Sequence, residues 1–474
     1  MHSRAEFTFC GHSFVLNPAA KAKLLRLEAA LRMQATVTAA RQAALFSLPP
    51  ESPRWLRFLA GEVGNPFVAS QEEERQHQEQ EAGRQAVRHL ARQPSLGAGP
   101  PPGQCGVPGT SPDWCILRIR RRCLVQDALE EVARQSQNDL FKPLRVHFIG
   151  EDGVDAGGLK KELFLLLMDE LMAPANGLFT LVANGRLRWL APDNAAPGTP
   201  EDEALQHRWR LVGTLLALAI YNGVILDLHL PRAFYKKLLG VPVDLGDYGE
   251  LEPEVVQSLR KLLAWTGPGS VQDIFCLSFT VSAHVGDRRV VTPLGEAGGE
   301  DVPVTEANRK AYCDLYVAHV LTRSCARAFD ALRAQFLQLC GGHALRLLSP
   351  AELEVLVSGE QHLDFRGLEK GARYSGGWDA SHPTVRAFWT VVHTHLDLED
   401  QKQLLRFITG SDRAPIGGLA AVSILITREG PDSFRLPVSH TCFSQLMLPE
   451  YGSRGKLHER LITAIHNSAG FGIV

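Results

Sequence analysis

The chain has 474 residues, 45% hydrophobic and 22% charged, which exceeds what one small core requires and points to two or more packed units of a soluble globular protein. A formal net charge of −2 supplies no general attraction to nucleic acid or anionic membrane, and the basic run Arg118, Arg120, Arg121, Arg122 is too short to change that. The nine cysteines are odd in number, form no C-x-x-C pair and show no Cys/His spacing of a tetrahedral zinc site, so neither a disulfide framework nor a metal is expected, and no cofactor motif is present.

The opening MHSRAEFTFCGHSF lacks the apolar centre of a signal peptide. The longest apolar stretch, LVGTLLALAIYNGVILDLHL, is interrupted by Asn222 and Asp227, so no membrane span is expected and the protein reads as cytoplasmic, with the nucleus also open. Within a lead-in segment, residues 1–61, AAKAKLLRLEAALRMQ repeats Leu24, Leu27 and Leu31 at helical spacing and reads as an amphipathic helix. Residues 62–113 turn Gln/Glu-rich and then Pro/Gly-rich, the composition of a disordered insert.

From Trp114 the pattern becomes dense. CILRIRRRCLVQDALEEVARQ reads as a strand leading into a helix, PLRVHFIG as a short alternating strand, and GEDGVDAGGLKKELFLLLMDELM as a Gly/Asp turn feeding a helix. That turn fails as a phosphate loop, because no Gly-Lys-Ser/Thr follows and the glycines do not form G-x-G-x-x-G. It fails as a calcium loop, because Asp152 and Asp155 lack further acidic companions at EF-hand spacing. The stretch from Leu211 reads as a buried core helix running into a strand or turn. In EPEVVQSLRKLLAWTG, Val255, Leu259, Leu262 and Trp265 share one helical face, either as core or as a docking groove of a small subdomain rich in glycine and proline.

In the closing third, HPTVRAFWTVVHTHL and LEDQKQLLRFITG read as helices and AAVSILITREG as a β-rich run. KLHERLITAIHNS places Leu457, Leu461 and Ile465 on one helical stripe before Gly470 ends the helix. Cys442, between Thr441 and Phe443, is by composition either a reactive thiol or one more small buried hydrophobe.

The run LPVSHTCFSQLMLPEY (436–451) resembles the active-site motif of the HECT ubiquitin ligases, Leu-Pro-x-Ala-x-Thr-Cys followed by Leu-x-Leu-Pro-x-Tyr. VHFIGEDGVDAGGLKKELFLLL, LLALAIYNGVILDLHLP, NRKAYCDLY, HPTVRAFW, LLRFITGSDRAPIGG and the terminal GFGIV resemble further blocks of that family in its order and spacing. The resemblance covers about 114–474, and FTFCGHSFVLNPAAKAKLL is similar to the lead-in helix of the small HERC subgroup. Ser439 stands where Ala is commoner and Ser444 where Asn is commoner.

The resemblance implies an α+β bilobal fold. Its parts are a mostly helical N-lobe (114–357) with a small conjugating-enzyme-binding subdomain near 232–306, a hinge at 358–362, and an α/β C-lobe (363–474) carrying the catalytic cysteine. It implies that Cys442 accepts ubiquitin from a ubiquitin-conjugating enzyme as a thioester and passes it to a substrate lysine. By the same resemblance Val255, Leu259, Leu262 and Trp265, with Phe275 and Tyr312 adjoining, bind the conjugating enzyme, and the groove reading of that stripe then leads. Phe471 falls where the family keeps a Phe needed for transfer. Arg121, Glu162 and Asp227 fall in blocks facing the C-lobe, either to orient or deprotonate the attacking lysine or as structural ion pairs.

Such a relay calls for a thiol, since exchange of thioester for thioester preserves the activation of the acyl group. Attack needs the thiolate, and a free cysteine has a pKa of about 8.5. His440, two positions from Cys442, shares its face if the segment is extended, and either aids deprotonation or only orders the loop beside Thr441. The alternative from another class is a non-catalytic scaffold that keeps the fold and binds ubiquitin or a conjugating enzyme; the intact Thr441-Cys442 pair and the Phe471 tail argue against it. A cysteine hydrolase needs a His and an Asn or Asp converging on the thiol, and nothing in the sequence singles them out.

Overall fold

The computed structural model describes residues 16–46, 111, 113–151, 158–285, 288–295 and 299–467. Most of the 62–113 insert, the 152–157 turn and the tail with Phe471 lie outside them. The chain divides into two compact units, one of Met1–Glu28, Leu117–Val132 and Val146–Val474, the other of Ala29–Ile116 and Ala133–Arg145.

The smaller unit buries Leu140, Phe141 and Leu144 and adds three cation contacts. The Arg145 guanidinium lies 4.0 Å over the Trp114 ring, Arg41 pairs with Asp113 at 2.5 Å, and the buried Lys142 ammonium donates to the Ser111 carbonyl at 2.7 Å. Ser136 and Asp139 form a capping box that starts the short Gln137–Leu140 helix.

The larger unit opens with the first part of the Pro18–Phe46 helix, whose Asn17 side chain accepts the Ala20 N–H at 2.8 Å. The helix is where its leucine spacing predicts, but it turns a different face inward. Ala22, Leu25 and Ala29 are buried while Leu27 and Leu31 are more than half exposed. Lys21 fixes that orientation by pairing with Glu352 at 2.8 Å, and Glu28 accepts the Ala344 N–H at 3.0 Å.

Strands β1 (Cys115–Ile119) and β2 (Leu144–Phe148) bury alternate residues, as half-buried strands do. Hairpin β3 (Phe179–Val182) and β4 (Leu187–Leu190) follows the Gly158–Met172 helix. The Pro200–Tyr221 helix starts at Thr199, whose hydroxyl accepts the Asp202 N–H at 3.2 Å, and every residue from Leu211 to Tyr221 is buried. It lies against the Ala326–Cys340 helix so closely that a Cβ on Gly213 would stand 2.1 Å from the Leu332 carbonyl oxygen. The chain leaves it through a turn at Asn222 and Gly223, where the Val224 N–H donates to the Ala219 carbonyl at 2.8 Å, and joins no named strand before the next helix. The Arg232–Leu239 helix packs on the Pro350–Ser358 helix, and the buried Tyr235 hydroxyl meets the Ser358 hydroxyl at 2.8 Å.

Beyond these lie the helices Leu245–Leu251, Pro253–Leu263 and Val271–Phe275 and hairpin β5 (Thr280–Val285) and β6 (Arg288–Pro293). The Arg309–Leu321 helix runs back beneath them.

Residues 365–465 carry their own hydrophobic core around Val385, Phe388, Leu404, Ile426, Leu446 and Leu461. A four-stranded sheet runs in the order β7 (Arg373–Ser375), β8 (Leu425–Arg428), β10 (Gln445–Leu448), β9 (Val438–His440). β7 and β10 pair with β8 in parallel, and β9 pairs with β10 antiparallel. Helices Pro383–Thr394, Leu398–Thr409 and Arg454–Asn467 supply the rest of that core, with Leu457, Leu461 and Ile465 inward as their spacing predicts. A mixed helix-and-sheet α+β fold results, and no helix among the described residues is long and apolar enough to cross a membrane.

Candidate active site

β9 and β10 are joined by a single 3-10 turn, Thr441–Phe443, with Cys442 at its middle. β10 is an inner strand whose Leu446 and Leu448 are fully buried, so the turn stands on a fixed base. Gln445 extends that base sideways, donating from Nε2 to the Thr427 hydroxyl at 2.8 Å, and Thr427 in turn meets the Ser375 hydroxyl at 2.8 Å. The Tyr451 hydroxyl donates to the Arg435 carbonyl at 2.5 Å and ties down the segment that enters β9. Ser444 closes the turn with φ of +48°, the left-handed region in which Asn is far more frequent than Ser. Phe443 is 66% exposed beside it.

His440 is exposed, ends β9 and faces Gln445 across the sheet. The alternation that would place it on the face of Cys442 does not apply, because the chain leaves extended geometry at Thr441. Its support of the thiol therefore has no basis in strand periodicity.

Arg121 and Glu162 are together in the N-lobe, Nη1 to Oε1 at 2.6 Å, with Glu151 on the same guanidinium and the Phe148 ring 4.1 Å beneath it. The Arg121 proton is bound more tightly than in a free guanidinium, first because of the Glu151 hydrogen bond and then that of Glu162. The two side chains form an ion pair with each other. Asp227 is separate from them: one of its carboxylate oxygens pairs with Arg413 of the C-lobe and lies 3.3 Å from His229 Nδ1.

The conjugating-enzyme set divides by burial. Leu259, Leu262 and Tyr312 are buried at 4%, 1% and 3% exposure, so three of the six are core that holds the subdomain rather than surface. Burial pushes the Tyr312 hydroxyl up to about 12, in keeping with that position. The i, i+3 and i+7 positions of an amphipathic helix face inward first, and groove lining falls to its flanks. Val255, Trp265 and Phe275 are half-buried, with the Trp265 and Phe275 rings edge to face at 5.5 Å. Trp265 is held by Nε1 donating to the Gly269 carbonyl at 3.3 Å, while the Trp265 carbonyl accepts from Arg309 Nη1 at 2.8 Å.

Sequence reasoning missed the exposed apolar Ile274, next to Phe275 in the Val271–Phe275 helix, and the exposed Val241, Val290 and Val302 elsewhere in the 232–306 stretch. No periodicity marks them, since they lie on loops, a five-residue helix and a hairpin. It also missed Arg413, whose role depends on a contact across 186 positions of chain. Among the described residues no group of three or more His, Cys, Asp or Glu is placed to hold a metal.

A family model described as HECT-domain (ubiquitin-transferase) matches residues 165–474. The chain is 42% identical over 359 residues to "Probable E3 ubiquitin-protein ligase HERC4" of Homo sapiens, covering 76% of this chain and 33% of that protein. It is 36% identical over 470 residues to "Probable E3 ubiquitin-protein ligase HERC3" of Homo sapiens, covering 98% of this chain and 38% of that protein. It is 38% identical over 375 residues to "Probable E3 ubiquitin-protein ligase HECTD2" of Mus musculus, covering 75% of this chain and 46% of that protein. The chain thus spans about a third to a half of the length of these relatives. With more than half of its length under the family model, and with a Thr-Cys turn set on the edge of a mixed sheet, the chain belongs to the HECT-domain (ubiquitin-transferase) family.

Proposed function

We propose that this chain is a HECT-type ubiquitin-protein ligase working through Cys442. The Cys442 thiolate attacks the thioester carbonyl of ubiquitin carried by a conjugating enzyme. The tetrahedral adduct expels the conjugating enzyme's thiolate, and ubiquitin is left on Cys442. A substrate lysine amine then attacks the new thioester, loses a proton, and expels the Cys442 thiolate as the amide forms. Family membership, together with the place of Cys442 in a turn between two paired strands, carries this reading.

The subdomain of residues 232–306 is the docking surface for the conjugating enzyme in this reading. The half-exposed Val255, Trp265 and Phe275 and the exposed Ile274 supply the contact, and Leu259, Leu262 and Tyr312 support it from beneath. Residues 358–362 act as the hinge.

The test is to incubate the chain with ubiquitin, activating enzyme, ATP and a panel of conjugating enzymes. A ubiquitin adduct that reductant removes, and that is missing in Cys442→Ala, supports the proposal. If no conjugating enzyme gives the adduct, the non-catalytic scaffold replaces it.

A further inference from the structure

Two cations cross between the lobes in opposite directions, and both grip the same C-lobe loop. Lys161 of the N-lobe donates to the Thr409 carbonyl at 2.8 Å. Thr409 ends the Leu398–Thr409 helix, where unpaired carbonyls and the helix dipole concentrate negative potential. Four residues on, Arg413 reaches the other way into an N-lobe socket. It pairs with Asp227, donates to the Ser358 carbonyl at 3.3 Å, and lies 3.5 Å from His229 Nε2.

The socket is built rather than incidental. His229 holds a left-handed backbone, φ +50°, and its carbonyl accepts the Arg188 N–H at 2.9 Å. Ser358 is fixed by the buried Tyr235 hydroxyl, and the Arg413 side chain is only 13% exposed. The loop between the two cations carries contacts of its own. Thr409 Oγ1 donates to the Ser411 carbonyl at 3.0 Å, and Arg406 pairs with Asp412 at 3.1 Å.

We infer that Lys161 and Arg413 are positioning residues that clamp the 409–413 loop and so hold the C-lobe in one of the orientations the relay needs. The inference rests on the ligase reading, in which Cys442 meets two partners in turn: the incoming thioester and then the acceptor amine. Both contacts close only when the loop lies against the N-lobe, and a guanidinium seated on Asp227 occupies the carboxylate that an acceptor ammonium would approach. The clamp therefore weights the two half-reactions unequally.

The test pairs dyes through non-natural residues at Lys310 and Glu399, whose side chains are 83% and 71% exposed, and measures the distribution of inter-lobe distances in the full chain. Arg413→Ala and Lys161→Ala are each expected to broaden it. The exchange of charges, Asp227→Arg with Arg413→Asp, is expected to narrow it again, and Arg413→Lys, which keeps the charge without the fork, to fall between. In single-turnover assays the ratio of Cys442 charging to discharge onto free lysine is expected to shift by about tenfold in Arg413→Ala, the factor associated with one charge-assisted hydrogen bond. Unchanged distances in both alanine variants, or broadened distances with both half-reactions altered equally, would overturn the inference. The distance measurement needs no conjugating enzyme, so a chain that never charges defeats the ligase reading and leaves the clamp to be decided by the distances alone.

Discussion

Ser444 shows how one side chain sets the quality of a turn. Its φ of +48° is adopted readily by Asn, whose short amide satisfies backbone groups locally, and with more strain by Ser. Ser444→Asn is expected to raise the melting temperature by about 1–2 °C, as relief of a fraction of a kcal/mol would, and thermal unfolding followed by circular dichroism measures it. Cys442→Ser is expected to retain ubiquitin as an oxyester that resists reductant and is cleaved by alkali, which gel mobility after each treatment distinguishes. The role proposed for Cys442 was not legible from composition, since a lone cysteine between Thr and Phe reads far more readily as core. It rests on the many blocks in register around it. Arg413 stayed hidden because its partners, Asp227 and Ser358, lie far away in the chain.

At the scale of the element, periodicity predicted the helices well and their faces less well. The leucines of the Pro18–Phe46 helix mark a stripe, yet Ala22, Leu25 and Ala29 lie inward, because small residues allow close approach and Lys21 needs Glu352. Burial alone would raise the Glu352 carboxyl, but hydrogen bonds from Lys21 and Ser349 hold it below the ordinary glutamate value. A depressed carboxylate contributes stability that is present above the unfolded pKa of about 4.3 and is lost as pH falls through the folded value. The amide-exchange protection factors of residues 18–28, corrected for the intrinsic exchange rate at each pH, are therefore expected to fall on acidification through that window, with a flatter pH dependence in Glu352→Gln. In Pro253–Leu263 the two leucines of the stripe lie inward, as the core alternative of its spacing has them. Leu259 is core, and Leu259→Ala is expected to cost about 2–5 kcal/mol in chemical denaturation. The near-continuous apolar run of Leu211–Tyr221 was read correctly as buried. Its glycine was not interpreted: Gly213→Ala forces a methyl into the Leu332 carbonyl and is expected to destabilise by about 1–3 kcal/mol.

Over the whole molecule, the α+β mixture followed from the order of the matching blocks, while the long-range contacts of Lys161 and Arg413 did not, because each joins residues distant in sequence. The core of residues 365–465 draws on its own helices and sheet. A fragment of 363–474 is expected to unfold cooperatively by itself, which a single sigmoidal thermal transition would establish. Between the lobes the chain is pinned on both sides of one glycine. Ser358 is held by Tyr235, and Glu360 exchanges backbone hydrogen bonds with Ala414 at 2.7 and 3.0 Å. Gly359, at φ +71°, is alone between these anchors, and a Cβ there would stand 2.8 Å from the Ala414 oxygen and 3.0 Å from Ile225. In the proposed relay, where residues 358–362 act as the hinge, this is the one hinge position at which a side chain is barred by a backbone oxygen, so any residue larger than glycine there would have to part Glu360 from Ala414 before the chain could turn.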